Sequence, residues 1–229
     1  MDAHHLVPWF PAWGVRFSEP VKNVFSVVSV INEWRPSNRW MLLAYDAAAS
    51  EVHLWTAWYA LRRNEAAGEM VSKTPDAEFL RLVSGTRQIN KAFERAGIAI
   101  DDECAWVVML PDSDLGDDFG DFSIPLESYN SATEEGVRLI EILGGTLMPN
   151  RPTPTSSGLT RIGSGCMEGA NISEMEGLFL SHLALSDLMS CFISHVDRHV
   201  ARQEFVTCQS STASENAMFA RFHVRQGIS

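Results

Sequence analysis

The chain has 229 residues, of which 45% are hydrophobic and 21% are charged, and its formal net charge at pH 7 is -11. This composition is ordinary for a globular protein, and the length predicts one domain with extensions or two small domains. The acidic balance excludes a surface coated with cations for nonspecific DNA binding, but it does not exclude a local basic patch.

The cysteines and the N-terminal segment indicate the compartment. The cysteines do not form a CxxC pair, which argues against a disulfide framework or a zinc site. The first residues, MDAHHLVPWFPAW, lack the basic region and the apolar run of a signal peptide. The apolar run VFSVVSVI at 24–31 is too short to span a membrane. We therefore expect a cytoplasmic protein with no membrane or DNA partner.

Hydrophobic patterns predict strands and helices in alternation along the chain. Runs of apolar and β-branched residues predict strands at 24–31, 38–46 and 104–110. Apolar residues that recur every three or four positions predict helices at 51–66, 76–96, 133–143 and 172–188. Ser50 is the expected cap of the first helix and Gly68 its expected end. Asn171 and Glu174 form a capping box before the last helix.

The segment SKTPDAEFLRLVSGTRQINKAFERAG, residues 72–97, is much more basic than the chain as a whole. Thr74 and Pro75 are typical of a helix start. At about 100° per residue, one face of this helix is apolar. The opposite face carries Arg81, Ser84, Gln88, Lys91 and Arg95, with Arg87 at its edge. Gly85 marks a point where the helix is expected to kink or divide in two.

Two interpretations of the basic residues stay open. Their charges pair with Glu78, Glu94 and other acids on a solvated helix face, or they bind phosphates and sugar edges through charge-assisted hydrogen bonds. A few such contacts suit one end of an RNA better than a long duplex.

A histidine-metal enzyme is the rival functional class. His195 and His199 are four residues apart, but the glutamate of an HExxH motif is missing. His182 is at the wrong angle to be a third ligand. No Ser, His and acid grouping and no phosphate-binding glycine loop stands out. We therefore predict a protein that is not an enzyme and has no metal or cofactor.

Three blocks of residues, in chain order, resemble the archaeal and eukaryotic family of the PRPK-binding protein (TPRKB), a subunit of the KEOPS complex. The blocks are His53-Leu54 with Ala57 and Ala60; Ser72-Lys73, Phe79-Leu80 and Ser84-Gly85-Thr86-Arg87-Gln88-Ile89; and Leu143-Gly144-Gly145 with the later His182-Leu183-Ala184-Leu185. The resemblance covers 38–188 and is of the archaeal type. Residues 1–37 and 189–229 are then N-terminal and C-terminal extensions.

The resemblance implies an α+β fold, with a mainly antiparallel sheet flanked by helices in a single domain. It also implies a noncatalytic subunit of the complex that makes threonylcarbamoyladenosine in tRNA. Such a subunit binds the small atypical kinase of the complex, and archaeal members also hold tRNA at its 3′ CCA end. A kinase-engaging scaffold without RNA binding is the alternative within the family.

The resemblance also suggests where the two partners bind. The expected RNA-binding residues are Lys73, Arg87, Gln88, Lys91 and Arg95. The expected kinase-binding residues are apolar and lie at the C-terminal ends of two helices, where grouped exposed apolar residues would mark a partner site. They are Ala96, Ile98, Ile142 and Leu143.

Overall fold

The computed structural model describes residues 8–113, 124–165 and 169–187. These residues all lie in one compact unit, Met1–Leu188. A second unit, Met189–Ser229, falls outside the described residues, and with it His195 and His199. The described part contains a four-stranded antiparallel sheet and seven helices, so the α+β fold is confirmed.

The sheet has the strand order β2-β3-β1-β4, with every neighbouring pair antiparallel. The strands are β1 (Ala12–Phe17), β2 (Trp40–Ala44), β3 (Cys104–Met109) and β4 (Gly145–Met148). Successive side chains of a strand point to opposite faces. In β2, Met41 and Leu43 accordingly enter one core, while Trp40 and Leu42 enter the other. Both faces of the sheet are therefore covered.

Helices cover the two faces of the sheet. They are α1 (Val24–Trp34), α2 (Glu51–Ala67), α3 (Pro75–Val83), α4 (Ile89–Ala96), α5 (Leu126–Ile142), α6 (Ser156–Ile162) and α7 (172–187). The predicted signals of α2 are confirmed, because Ser50 Oγ accepts the His53 N–H and Gly68 ends the helix in a left-handed conformation. The capping box of Asn171 and Glu174 is confirmed as well.

Three apolar clusters hold these layers together. The first joins one sheet face to α2 and α3, with Trp58, Phe79 and Trp106 among its members. The second joins the other face to α1 and α5 through residues such as Ile31 and Leu139. The third joins α6 to α7 through Leu159 and Phe179. The helix pair α3–α4 is thus fixed on one side of the sheet, with α7 packed beside it.

The prediction of a strand at 24–31 was wrong, because this run lies in α1. Asn23 caps the helix, since its Oδ1 accepts the N–H groups of Phe25 at 2.9 Å and Ser26 at 3.3 Å. Val24, Val27 and Ile31 are three and four residues apart and pack into the second core cluster. This helical stripe overrides the strand preference of the β-branched side chains.

Residues predicted to be an N-terminal extension supply parts of the fold. β1 lies between β3 and β4, and α1 covers the second core cluster. The hydrophobic patterns of the sequence predict no strand at β1 or β4 and no helix at α6. The family boundary at residue 38 stays a prediction. Over the described ranges, no helix combines the length and the apolar character needed to cross a membrane.

Candidate functional site

The basic segment forms two helices, because the chain divides at Gly85. α3 ends with Ser84, and α4 begins after Gln88. Gly85 has a φ of 63°, and a Cβ built there would lie 2.7 Å from the Cβ of His182 on α7. Glycine is required for both reasons, the left-handed backbone and the close approach of α7. The expected division of the helix is confirmed.

Division of the helix removes Arg81 and Ser84 from the basic face. Both side chains are buried, whereas the sequence placed them on the solvent side. The Arg81 guanidinium binds Glu78, with Nη2 2.6 Å from Oε1 and Nε 3.1 Å from Oε2. Arg81 Nη1 also donates to the carbonyl of Ser186 on α7 at 3.3 Å. Arg81 therefore ties α3 to α7, and its charge is neutralised inside the fold.

Four of the five predicted RNA-binding residues come together at α4. Gln88, Lys91 and Arg95 are three and four residues apart, which places them on one face of the helix. Gln88 and Lys91 are exposed, and Arg95 is half-buried. Arg87 directly precedes the helix, and its buried Nε has no hydrogen-bond partner among the described residues. We call Arg87, Gln88, Lys91 and Arg95 the α4 basic face.

Lys73 is separated from this face. It is exposed and lies just before Thr74, at the start of α3, whereas Arg87 follows the other end of α3. The nine residues of α3 span about 13 Å at 1.5 Å per residue. Thr74 makes no capping hydrogen bond with its side chain. The structure thus assembles the α4 basic face without Lys73.

Arg95 packs against a further element, α6. Its guanidinium packs against Gly163, which ends α6 with a φ of 83°. Arg161 of α6 fixes the backbone of this region, because its Nε donates to the carbonyl of Arg95 at 3.0 Å and its Nη2 to that of Gly97 at 2.8 Å. Asp102 accepts from the same guanidinium and holds it in place. The backbone at Arg95 is therefore held in place, and its side chain lies against the end of α6.

His182 of α7 is a neighbour of the α4 basic face that is not among the predicted RNA-binding residues. It is half-buried and lies against Gly85. Burial lowers the pKa of His182, and the positive charge of Arg95 lowers it further. The imidazole is therefore neutral at pH 7. The one sequence signal that could have identified His182 as a site residue was its place in the last block of the family resemblance.

The expected kinase-binding residues differ in exposure. Ala96 is 0% exposed and Ile98 is 8% exposed, so the expectation that these two are surface residues was wrong. Ala96 is on the core side of α4, and Ile98 packs into the second core cluster. Ile142 is 53% exposed at the end of α5, and the adjacent Leu143 is half-buried.

Ile98 also lines an apolar groove of about 420 Å³ between α1, β2, α3 and α4. Val28 and Phe93 line the groove from α1 and α4, and they are 39% and 50% exposed. Arg35 and Asp76 contribute an ion pair of 2.6 Å to the lining. The C-terminal end of α4 thus adjoins an open apolar surface.

The described residues contain no group of three or more His, Cys, Asp or Glu side chains arranged to hold a metal ion. His182 lies beside an arginine, which disfavours a cation at that position. The histidine-metal interpretation therefore depends on His195 and His199, which lie outside the described residues.

A family model described as "Kinase binding protein CGI-121" matches residues 19–135, slightly more than half of the chain. The matched stretch contains α1 to α4 and the first part of α5, and hence the α4 basic face and the apolar groove. His182 lies beyond it. No curated protein matched the chain.

Proposed function

The chain belongs to the kinase binding protein CGI-121 family, and from this premise we propose that it is a noncatalytic, cytoplasmic subunit of a KEOPS-type complex. The complex makes threonylcarbamoyladenosine in tRNA. This subunit binds the small atypical kinase of the complex and recruits tRNA through its 3′ CCA end. The observation that carries the proposal is the match over residues 19–135 to a family described by kinase binding.

The kinase surface includes Ile142 and Leu143 and extends to the groove at the end of α4. Ile98 and Leu143 both belong to the second core cluster, which also contains Ile31 of α1, so the two places share one core. Phe93 and Ile142 are each at least half exposed. Exposed apolar side chains on such a surface favour a protein partner. Ile98 lines the groove but is buried, so it contributes to the shape of this surface more than to its exposed area.

Titration of the purified kinase against the protein tests this surface. We expect Ile142→Glu to weaken kinase binding by about tenfold or more, because it places a charge in an apolar contact. Leu126→Glu is the matched control, since Leu126 is 72% exposed at the opposite end of α5. Equal affinities for the two variants would place the kinase elsewhere. Absence of kinase binding by the unmodified protein would contradict the proposed function.

The α4 basic face is the proposed RNA contact. Arg87, Lys91 and Arg95 present three cations within a chain of net charge -11. Gln88 makes no capping hydrogen bond with its side chain, so its amide is available to a base or a sugar. The first turn of α4 adds the partial positive charge of a helix N-terminus. These groups favour phosphates of a short RNA segment.

Binding of labelled tRNA with and without its 3′ CCA tests the RNA contact. We expect the intact tRNA to bind at low salt and the truncated tRNA to bind much more weakly. If the protein binds the kinase but neither tRNA, it is a kinase-engaging scaffold and the RNA part of the proposal is wrong.

A further inference from the structure

His182 is brought to the α4 basic face from a distant part of the chain. α7 packs on the turn between α3 and α4, where a Cβ at Gly85 would lie 2.7 Å from the His182 Cβ and 3.0 Å from its backbone carbonyl. The next two residues of that turn are Thr86 and Arg87. Arg95, at the other end of α4, is near enough for its charge to act on the imidazole. His182 therefore lies against the turn that precedes the α4 basic face and within electrostatic range of Arg95.

This arrangement is fixed by its surroundings. Gly85 and Gly163 both have a positive φ, and a side chain at either would collide with His182 or Arg95, respectively. Arg81 anchors α7 through the Ser186 carbonyl, four residues after His182. Arg161 anchors the end of α4. A site whose helices are held in this way needs little rearrangement of its backbone when a ligand binds.

The chemistry of the group is that of a site for single-stranded RNA. Proteins hold such strands with cations that follow the phosphates and with aromatic rings on which bases stack. Arg87, Lys91 and Arg95 are the cations. The half-buried imidazole of His182 is an aromatic ring within range of the Arg95 charge, and it is uncharged at neutral pH because burial and Arg95 lower its pKa. The uncharged ring is suited to contact a base, while the cations are suited to bind phosphates.

We propose that His182 contacts an unpaired base at the end of the bound RNA by stacking, while Arg87 and Lys91 hold its phosphates. This inference rests on the proposed function, because it names the base-contacting residue of the same RNA site. It adds to that site a segment, α7, that lies outside the matched residues 19–135.

The test measures the affinity of labelled tRNA, with and without 3′ CCA, for the full chain and for His182→Ala, His182→Phe and Ser181→Ala. Alanine keeps the Cβ that packs on Gly85, so His182→Ala retains the contact between α7 and the turn. Ser181 is exposed on the same helix and is the matched control. Because a stacked base contributes about 1–3 kcal/mol, we expect His182→Ala to lower the affinity for intact tRNA by roughly five- to 150-fold. His182→Phe and Ser181→Ala should bind nearly as the unmodified chain does.

The salt dependence distinguishes stacking from a charge effect. His182→Ala should leave the slope of log affinity against log salt unchanged. Arg87→Gln should reduce the magnitude of that slope by about one, because one phosphate contact is lost. Unchanged affinity of His182→Ala, or an equal loss in His182→Phe, overturns the inference and leaves the RNA-binding function in place. If the unmodified chain binds neither tRNA, the proposed RNA function fails and the inference fails with it.

Discussion

Glu78 and Arg81 form an ion pair in which both side chains are 0% exposed, with Arg81 Nη2 2.6 Å from Glu78 Oε1. Burial alone would raise the pKa of Glu78, but the hydrogen bond and the charge of Arg81 lower it, with help from Ser72, and the net pKa lies below its ordinary value. The ionised state of the buried Glu78 carboxylate therefore depends on Arg81. A cation that the sequence places at the surface is part of the core.

Loss of Arg81 alone should destabilise the fold strongly. Arg81→Met leaves the Glu78 charge buried without its partner, and we expect a loss of about 3–5 kcal/mol in the free energy of unfolding. Lys91→Met, which removes an exposed cation, should change it by less than about 0.5 kcal/mol. Urea denaturation measures both. The double variant Glu78→Leu with Arg81→Met should be more stable than Arg81→Met, and a double variant that is less stable would show that the pair is not coupled.

Substitutions at Gly85 and Gly68 distinguish the energetic effect of the contact with α7 from that of the backbone conformation. Both have a positive φ, 63° and 66°, but a Cβ at Gly68 would meet nothing within 4 Å. We expect Gly68→Ala to cost about 1 kcal/mol through the backbone alone, and Gly85→Ala to cost about 1–3 kcal/mol more because it pushes against His182. Thermal or urea unfolding of the two variants gives the difference. Equal costs would mean that α7 does not pack closely on the turn.

The elements that local signals define could be predicted, whereas those that tertiary packing defines could not. Ser50 and Gly68 bound α2 as expected because each acts within its own turn. The run at 24–31 has the composition of a strand, and burial of Val24, Val27 and Ile31 in the second core cluster favours a helix instead. The cap at Asn23 was the local signal that could have identified it.

Stability should fall in mild acid because of His53. This residue of α2 is 0% exposed, and its Nδ1 accepts the Ala49 N–H at 3.3 Å. Burial lowers the pKa of His53 from 6.5 to about 4 in the fold, and the Val83 backbone opposes this only in part. Between pH 6.5 and pH 4, His53 binds more protons in the unfolded chain than in the folded one. Its contribution to the free energy of unfolding is therefore complete above pH 6.5 and is lost as the pH falls towards 4.

Urea unfolding at pH 7 and pH 5 measures the effect of His53. For the unmodified chain, this histidine should account for a loss of about 2 kcal/mol between the two pH values. His53→Gln removes the titrating group. The variant should therefore lose about 2 kcal/mol less free energy of unfolding between pH 7 and pH 5 than the unmodified chain does, whatever the stability of the variant at pH 7. If the two proteins lose the same free energy, His53 is not protonated on unfolding.

The candidate site was predictable in part for the same physical reason. Spacing along one helix identified Gln88, Lys91 and Arg95, because their arrangement depends only on α4. Arg81 was misplaced because the faces of α3 and α4 are independent once the chain turns at Gly85. His182 reaches the site through the packing of α7 on that turn, which no local pattern records.

Recruitment of tRNA by the α4 basic face is tested by the affinity of intact tRNA for the unmodified chain and for the double variant Arg87→Glu with Lys91→Glu, with kinase binding measured on the same samples. The double variant should lose tRNA binding and keep its affinity for the kinase, which would show that it is folded. Equal tRNA affinity of the two proteins, or no tRNA binding by the unmodified chain, would contradict tRNA recruitment by this face.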